Sequence, residues 1–336
     1  MSLATKAYAP PTIEYLYEQQ TLGVHWLSEG VLIVGETLII CLADLGGGIV
    51  LAGTGLGGKI ARSVDYGETW ASLGQIVAGE VAIYSLVDLG GGIALAGTAA
   101  GSKIARSTDY GATWTDIGII VAGESEVMSL VNLGSGIVLA GTFGNAHIAR
   151  SIDYGLTWAD IGIIIAGESS VYNLCDLGNG VVLAGTGING HIARSIDYGL
   201  TWADIGIIIA GEQFIHSLVH LGDGIVIAGT AGNGRIAWSS DYGLTWVDLG
   251  TVVPIATSIY SLVNLGNGFA LAGTDIGKLA RSVDFGRTWK DSGPQLSGFD
   301  NVMVLLSLGD SASEKGIVLS GNGPTGIIGR SILPQL

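Results

Sequence analysis

The chain has 336 residues, of which 48% are hydrophobic and only 13% charged, and its formal net charge is −15. That charge disfavours binding to nucleic acid or to anionic lipid, because both partners attract a positive surface. The 56 glycines against 6 prolines are typical of many tight turns between short strands. Glycine or an acidic residue interrupts every long apolar run, so we expect a soluble protein without membrane insertion.

The first 21 residues form an N-terminal extension that lacks the apolar centre of a signal peptide. The next segment resembles part of the repeat that follows: WLSEGVLIVGE at 26–36 matches WADIGIIIAGE at 158–168. We therefore predict a strand at 22–30 that belongs to a repeat unit whose other strands lie elsewhere in the chain.

From residue 38 onward the sequence repeats, and the clearest marker is the pattern Ser-x-Asp-x-Gly-x-Thr-Trp. It occurs six times, with successive aspartates 44, 44, 44, 44 and 43 positions apart. Such regularity indicates a repeat architecture with almost no insertions. The motif residues are Asp65, Asp109, Asp153, Asp197, Asp241 and Asp284, followed by Trp70, Trp114, Trp158, Trp202, Trp246 and Trp289.

Each period predicts four short strands separated by glycine-containing turns. In the second period these are 85–90, 92–98, 103–107 and 113–119. A unit of four strands and about 44 residues is typical of a β-propeller blade. The predicted units are 38–75, 82–119, 126–163, 170–207, 214–251, 258–294 and 301–332.

The last unit ends before its fourth strand, and the strand at 22–30 supplies the missing one. The predicted fold is therefore all-β, one seven-bladed β-propeller of four-stranded antiparallel blades over 22–336, with its ring closed by the N-terminal strand in the last blade. Closing the ring in this way removes exposed sheet edges.

The pattern SIDYGLTW resembles the Asp-box of the bacterial neuraminidase repeat family, which includes sialidases, cell-wall glucanases, receptor ectodomains and a photosystem II assembly factor. The resemblance implies that the motif aspartates are structural and lie on the face opposite the ligand site. An aspartate in a tight turn accepts hydrogen bonds from nearby amides, and the tryptophan packs between blades. The Arg-Ile-Pro signature of sialidases is absent from this sequence.

An arginine precedes the motif serine in all units except the fifth, which has Trp238. Sialidases bind a carboxylate with three arginines, but hairpin geometry offers each arginine here a nearer partner. If Ser107 faces Thr115, Arg106 lies beside Asp116, so we predict cross-strand ion pairs. The arginines are Arg62, Arg106, Arg150, Arg194, Arg281 and Arg330, and the predicted partners are Asp116, Asp160, Asp204 and Asp291.

A collar of acidic and basic residues is predicted on the face opposite the motifs, where connections between strands meet. The acids are Glu36, Glu80, Glu124, Glu168 and Glu212, and the bases are Lys59, Lys103, His147, His191, Arg235 and Lys278. The collar is either a set of ion pairs at a solvated rim or a site for a sugar, peptide or ion. Variable loop residues at this face are Phe143, Asn145, Ile188, Asn189 and Asn233.

These patterns favour a non-catalytic binding module or scaffold for a glycan or a protein, and a monomer. The alternative is a glycoside hydrolase of sialidase-like or glucanase-like type. The sequence shows no Ser/His/Asp group, no metal-ligand spacing and no phosphate-binding loop, so we expect no metal and no cofactor. Cys41 and Cys175 occupy different repeat positions and are expected to be small core residues.

Overall fold

The computed structural model describes residues 26–33, 35–294, 300–308, 316–323 and 326–333. Within these ranges the regular secondary structure consists of β-strands, and no helix is long and apolar enough to span a membrane. The predicted extension at 1–21, the first residues of the predicted strand at 22–30, and the insertion at 309–315 lie outside the described residues.

The strands form four-stranded antiparallel groups, numbered here as sheets 1 to 7. Strand β1 (Trp26–Val31) belongs to sheet 7. Sheet 1 contains β2 (Ile39–Asp44), β3 (Val50–Thr54), β4 (Lys59–Ser63) and β5 (Ala71–Gln75); sheet 2 contains β6 (Ile83–Gly90), β7 (Ile93–Thr98), β8 (Lys103–Ser107) and β9 (Thr115–Ile119); sheet 3 contains β10 (Glu126–Gly134), β11 (Ile137–Phe143), β12 (His147–Ser151) and β13 (Ala159–Ile163); sheet 4 contains β14 (Ser170–Asp176), β15 (Val182–Gly187), β16 (His191–Ser195) and β17 (Ala203–Ile207); sheet 5 contains β18 (Phe214–Gly222), β19 (Ile225–Ala231), β20 (Arg235–Ser239) and β21 (Val247–Thr251); sheet 6 contains β22 (Ile259–Gly266), β23 (Phe269–Thr274), β24 (Lys278–Ser282) and β25 (Lys290–Pro294); sheet 7 adds β26 (Val304–Leu308), β27 (Gly316–Gly321) and β28 (Ile327–Leu333).

Sheet 7 combines the two ends of the chain, in the order β1-β28-β27-β26. Trp26 pairs with Ser331 and Leu27 with Arg330 across the antiparallel pair β1–β28. The other sheets are continuous in sequence. Single bridging pairs, Phe143 with Ser170 and Gly187 with Phe214, link sheets 3, 4 and 5 side by side.

The hydrophobic core lies between neighbouring sheets. The second strand of each unit is buried on both faces, as in β3, whereas the fourth strand has two exposed residues at its start, as in β9. The cluster between sheets 1 and 2 contains Leu51, Ile60 and Ile83, with Trp114 packed against it. A corresponding cluster contains Leu308 and Leu319 of sheet 7 together with Ile39 and Val50 of sheet 1.

The glycine in the recurring LAGT segment marks the closest approach of two sheets. A Cβ atom added to Gly141 would lie 2.6 Å from Val171 Cγ1 of the next sheet and 2.6 Å from Ser129 Oγ. Glycine is therefore required here by packing, because a side chain would push neighbouring sheets apart.

Cys41 and Cys175 are buried free thiols, as their positions in the sequence suggest. Burial raises the pKa of the Cys175 thiol to about 12, and it raises the pKa of Cys41 still further. Both residues therefore act as small apolar side chains in the core.

Candidate binding site

The motif aspartates stabilise the turns that join the third and fourth strands. Asp109 accepts hydrogen bonds from the backbone N–H of Thr113 at 2.8 Å, from the Thr113 hydroxyl at 2.6 Å and from the Ser107 hydroxyl at 2.8 Å. The bonds from Thr113 lower the pKa of Asp109 to about 2. The indole N–H of Trp114 donates to the Gly111 carbonyl at 3.1 Å. The other five motif aspartates make the same bonds within their own turns.

The arginines before the motif do not make the predicted cross-strand pairs. Ile104 pairs with Gly118 and Ala105 with Asp116, so Ile117 is an extra residue, a β-bulge. The bulge shifts the register by one residue, and Arg106 faces Thr115 instead of Asp116.

Most of these arginines instead fasten one sheet to the next. Arg106 Nε donates to the carbonyl of Tyr154, in the motif of the following sheet, at 2.9 Å. Trp238 takes the same role in sheet 5, donating to the Phe285 carbonyl at 2.9 Å. Arg330 of sheet 7 donates to the Tyr66 carbonyl of sheet 1 at 3.2 Å. Arg62, Arg150 and Arg194 make equivalent bonds.

The collar glutamates are buried, each between 2% and 6% exposed. Glu124 accepts hydrogen bonds from the Thr142 hydroxyl at 2.7 Å, from Asn145 Nδ2 at 2.8 Å and from the Asn145 backbone N–H at 3.1 Å. Glu168 and Glu212 repeat this pattern with the equivalent threonine and asparagine. These carboxylates therefore hold the loop between the second and third strands.

The remaining collar residues are paired with other described side chains. Glu36 forms an ion pair with Lys59 at 2.9 Å and Glu80 with Lys103 at 3.1 Å. The other bases pair with an aspartate of the fourth strand: His147 with Asp160, His191 with Asp204, Arg235 with Asp248, and Lys278 with Asp291. That the collar itself binds a ligand stays a prediction.

A cavity of about 590 Å³ lies between the first strands of the sheets. Its lining comes from β2, β6, β10, β14, β18, β22 and β26 and the residues next to them. Among all the residues that the structure describes, those of the cavity included, no group of three or more His, Cys, Asp or Glu side chains is placed to hold a metal ion.

A β-bulge in the first strand supplies most of the cavity's variable side chains. Ile39 pairs with Thr54 and Cys41 with Gly53, so Ile40 is an extra residue. A bulge changes the direction of the side chain it carries. The same shift recurs in sheets 2 to 6, and the bulged residues, called here the bulge ring, all line the cavity: Ile40, Tyr84, Met128, Tyr172, His216 and Tyr260.

The bulge ring lies at the end of the cavity away from the Asp motifs. Each bulged residue is near the start of its strand, whereas the motif turn packs on the hairpin at the strand's other end. In sheet 1 this contact is a hydrogen bond from the Tyr66 N–H to the Gly48 carbonyl at 2.9 Å. Two positions after the bulged residue, or after Met303 in sheet 7, every unit places a leucine on the cavity lining: Leu42, Leu86, Leu130, Leu174, Leu218, Leu262 and Leu305.

One side of the cavity is aromatic. The Tyr172 ring centroid is 5.4 Å from that of Phe214 and 4.9 Å from that of His216, and His216 is 5.3 Å from Tyr260. These separations are typical of favourable aromatic pairs. Burial lowers the pKa of His216 to about 4, so its ring is neutral at pH 7.

Glu126 is the one carboxylate among the described residues that line the cavity. Its backbone pairs with Phe143, and its half-buried carboxylate makes no hydrogen bond or ion pair with any residue that the structure describes. Burial raises the pKa of Glu126, and burial together with the negative charge of Glu126 raises the pKa of Tyr84. The cavity thus combines aromatic rings, aliphatic side chains and a single unpaired acid.

No family model matches the chain, and neither does any curated protein. Among solved structures, the chain is similar to YCF48 bound to D1 peptide, with a TM-score of 0.71 and 19% identity, covering 91% of this chain and 96% of that chain. It is also similar to the WD40 β-propeller domain of Doa1, with a TM-score of 0.69 and 15% identity, covering 91% and 97%. The chain has a β-propeller fold.

A third similar structure is the GH74 xyloglucanase from Xanthomonas campestris, with a TM-score of 0.69 and 14% identity. The match covers 90% of this chain but 53% of the xyloglucanase. Because the identities are this low, the three likenesses establish the propeller fold and leave its function open.

The bulge ring is a candidate site that charge and loop patterns do not reveal. Its signal in the sequence is a single varying position inside a nearly constant segment. Ile or Val precedes the bulged residue and Leu follows two positions later in every unit, whereas the residue itself is Ile, Tyr, Met, Tyr, His or Tyr in sheets 1 to 6. Met303 occupies the equivalent position in sheet 7 and also lines the cavity.

Proposed function

We propose that this chain is a non-catalytic binding module that holds a short segment of another protein at the end of the cavity opposite the Asp motifs. The proposed scaffold is a closed seven-bladed propeller of Asp-box repeats. The pairing of β1 with β28, the packing of Leu319 against sheet 1, and the bond from Arg330 to the Tyr66 carbonyl support closure between sheets 7 and 1.

The observation that carries the proposal is the contrast between the varied residues of the bulge ring and the repeated residues that pack between the sheets. Positions that pack between sheets repeat almost without change, whereas the bulged position differs from unit to unit and lines one cavity. Different side chains around a rigid ring provide the asymmetry that recognition of a specific ligand requires. The collar glutamates serve such a site indirectly, because their hydrogen bonds fix the loops around it.

A peptide fits the chemistry of this cavity. Aromatic and thioether side chains provide apolar contact, and backbone groups of a peptide would satisfy the polar atoms at the rim. The likeness to YCF48, whose structure contains a D1 peptide, shows that a similar scaffold can bind a peptide.

A glycoside hydrolase is the second candidate, because GH74 enzymes share the fold. Such enzymes use a pair of carboxyl groups, about 5–9.5 Å apart, on either side of the scissile bond. Glu126 is the one carboxylate among the described lining residues, so a hydrolase would need its second acid from outside this lining. If the protein released the fluorophore from a fluorogenic sialoside or β-glucoside, and Glu126→Gln abolished that release, a hydrolase would replace the binding module as the proposed function.

The direct test is selection from a random heptapeptide library on the immobilised full chain, with a glycan array as the parallel assay. We expect enriched peptides whose affinity falls at least about tenfold on Tyr172→Ala, because a central aromatic contact is typically an energetic hot spot. Tyr198→Ala is the matched control, since Tyr198 lies in the Asp motif of the same unit, on the opposite face. Absence of enriched peptides, or equal loss with both variants, would contradict the proposal.

A further inference from the structure

We infer that the cavity receives a positively charged side chain, with arginine preferred, whose charge is neutralised by Glu126 and whose flat surface contacts the rings of Tyr84 and Tyr172. This inference rests on the proposed peptide-binding function and names the group that anchors the peptide.

The first observation is that Glu126 differs from the other glutamates whose side chains the structure describes. Each of the others has a partner. Glu68 pairs with Arg330, Glu36 and Glu80 pair with lysines, and Glu124, Glu168 and Glu212 accept hydrogen bonds from threonine and asparagine. Glu126 is half-buried and pairs with no residue that the structure describes, so its position in the cavity wall indicates a partner that comes from outside.

The second observation is that the lining does not supply the missing cation. The described lining residues include no lysine and no arginine. The one basic side chain there, His216, is neutral at pH 7 because burial lowers its pKa to about 4. The net charge of −15 further raises the local concentration of cationic ligands.

The third observation concerns the rings beside Glu126. Burial and the negative charge of Glu126 raise the pKa values of Tyr84 and Tyr172, so both phenols keep their protons and remain neutral. Neutral aromatic faces next to a carboxylate suit a guanidinium group, which can stack on a ring while donating two parallel hydrogen bonds to the acid. A lysine ammonium has the charge but not the flat surface, which is why arginine is preferred.

The experiment uses the full chain labelled with ¹³C at its methionine methyl groups. The sequence has 3 methionines, and two of them, Met128 and Met303, line the cavity, so their signals report on its occupancy. The probes are N-acetyl-arginine amide and its neutral isostere N-acetyl-citrulline amide. We expect the arginine probe to shift the Met128 signal, assigned with Met128→Leu, at a concentration at least about tenfold below that required for the citrulline probe.

Glu126→Gln should remove that difference between the two probes, because it deletes the charge while keeping the shape. Glu68→Gln is the control, since it removes one negative charge from an exposed side chain in the Asp motif of sheet 1. Equal binding of both probes to the unaltered protein, or a preference for arginine that survives Glu126→Gln, would overturn the inference.

The library peptides separate this inference from the proposed function. Selected peptides that need Tyr172 but bind equally well with arginine replaced by citrulline would leave the peptide-binding function intact and refute the cationic anchor. If the methionine signals are shifted neither by the selected peptides nor by the two probes, both the inference and the proposed function are wrong.

Discussion

Replacing Glu168 by alanine is expected to destabilise the propeller without abolishing ligand binding. Glu168 is 5% exposed and accepts hydrogen bonds from the Thr186 hydroxyl at 2.9 Å, from Asn189 Nδ2 at 2.7 Å and from the Asn189 N–H at 3.3 Å. Hydrogen bonds to a charged group contribute about 1.5–3 kcal/mol each to stability. The sum over these bonds is an upper limit, and we expect the variant to lose much less free energy of unfolding than that.

Two features of the loop reduce that loss. The Thr186 hydroxyl has a second acceptor, the His191 carbonyl at 3.1 Å, and Asn189 is exposed, so water can replace the carboxylate there. The desolvation of the buried carboxylate is also relieved when it is removed. We therefore expect a decrease of about 2 kcal/mol in the free energy of unfolding for Glu168→Ala, and about 1 kcal/mol for Glu168→Gln, which keeps one acceptor oxygen.

Urea denaturation followed by tryptophan fluorescence measures the decrease, since the chain has 8 tryptophans. Glu68→Ala is the control, because the Glu68 side chain is 60% exposed and its buried partner Arg330 keeps its hydrogen bond to the Tyr66 carbonyl, so we expect a loss of about 0–1 kcal/mol. A Glu168→Ala protein with unchanged stability but lost peptide binding would refute this reasoning and would assign Glu168 to a ligand-binding collar.

Three further predictions concern the packing of the sheets and their turns. Gly141→Ala should lower the free energy of unfolding, measured by urea denaturation, by about 1–3 kcal/mol, because the new Cβ would lie 2.6 Å from Val171 Cγ1. Unchanged stability would show that neighbouring sheets separate easily. Arg106→Gln should lower the free energy of unfolding by about 1 kcal/mol, because it removes the hydrogen bond to the next sheet. This loss should add to that of Asp116→Asn in the double variant; a non-additive result would show that Arg106 and Asp116 do interact. Because the folded-state pKa of Asp109 is about 2, below its unfolded value, its stabilisation is present above about pH 4 and is lost as the pH falls towards 2. Asp109→Asn should therefore reduce the change of the urea midpoint across that window, and an unchanged pH profile would contradict the prediction.

The sequence predicts the strands well because glycine-containing turns separate them at regular intervals. The strands expected at 85–90, 92–98, 103–107 and 113–119 are observed as β6 to β9 (Ile83–Gly90, Ile93–Thr98, Lys103–Ser107 and Thr115–Ile119). Differences of two residues or fewer at the ends are those expected when turn residues alone mark the boundaries.

The predicted pairing of Arg106 with Asp116 is wrong, because the register of these strands depends on a bulge. Without the extra residue Ile117, the register that joins Ile104 to Gly118 would place Arg106 opposite Asp116. One inserted residue changes the partner of every later residue in the strand. The arginine then reaches the carbonyl of the next sheet, a contact between residues 48 positions apart that hairpin geometry cannot indicate.

The candidate site was missed for a related reason, and the repeat itself explains how it could have been found. The collar residues are charged, yet each finds a partner near its own unit: a lysine for Glu36 and Glu80, and a threonine with an asparagine for Glu124, Glu168 and Glu212. A repeated residue therefore mainly reports what every unit needs in order to fold. A bulged position that carries Ile, Tyr, Met, Tyr, His and Tyr has no common local partner to satisfy. Its variation within one chain, at a point where all units meet around one cavity, is what a site for a single asymmetric ligand requires.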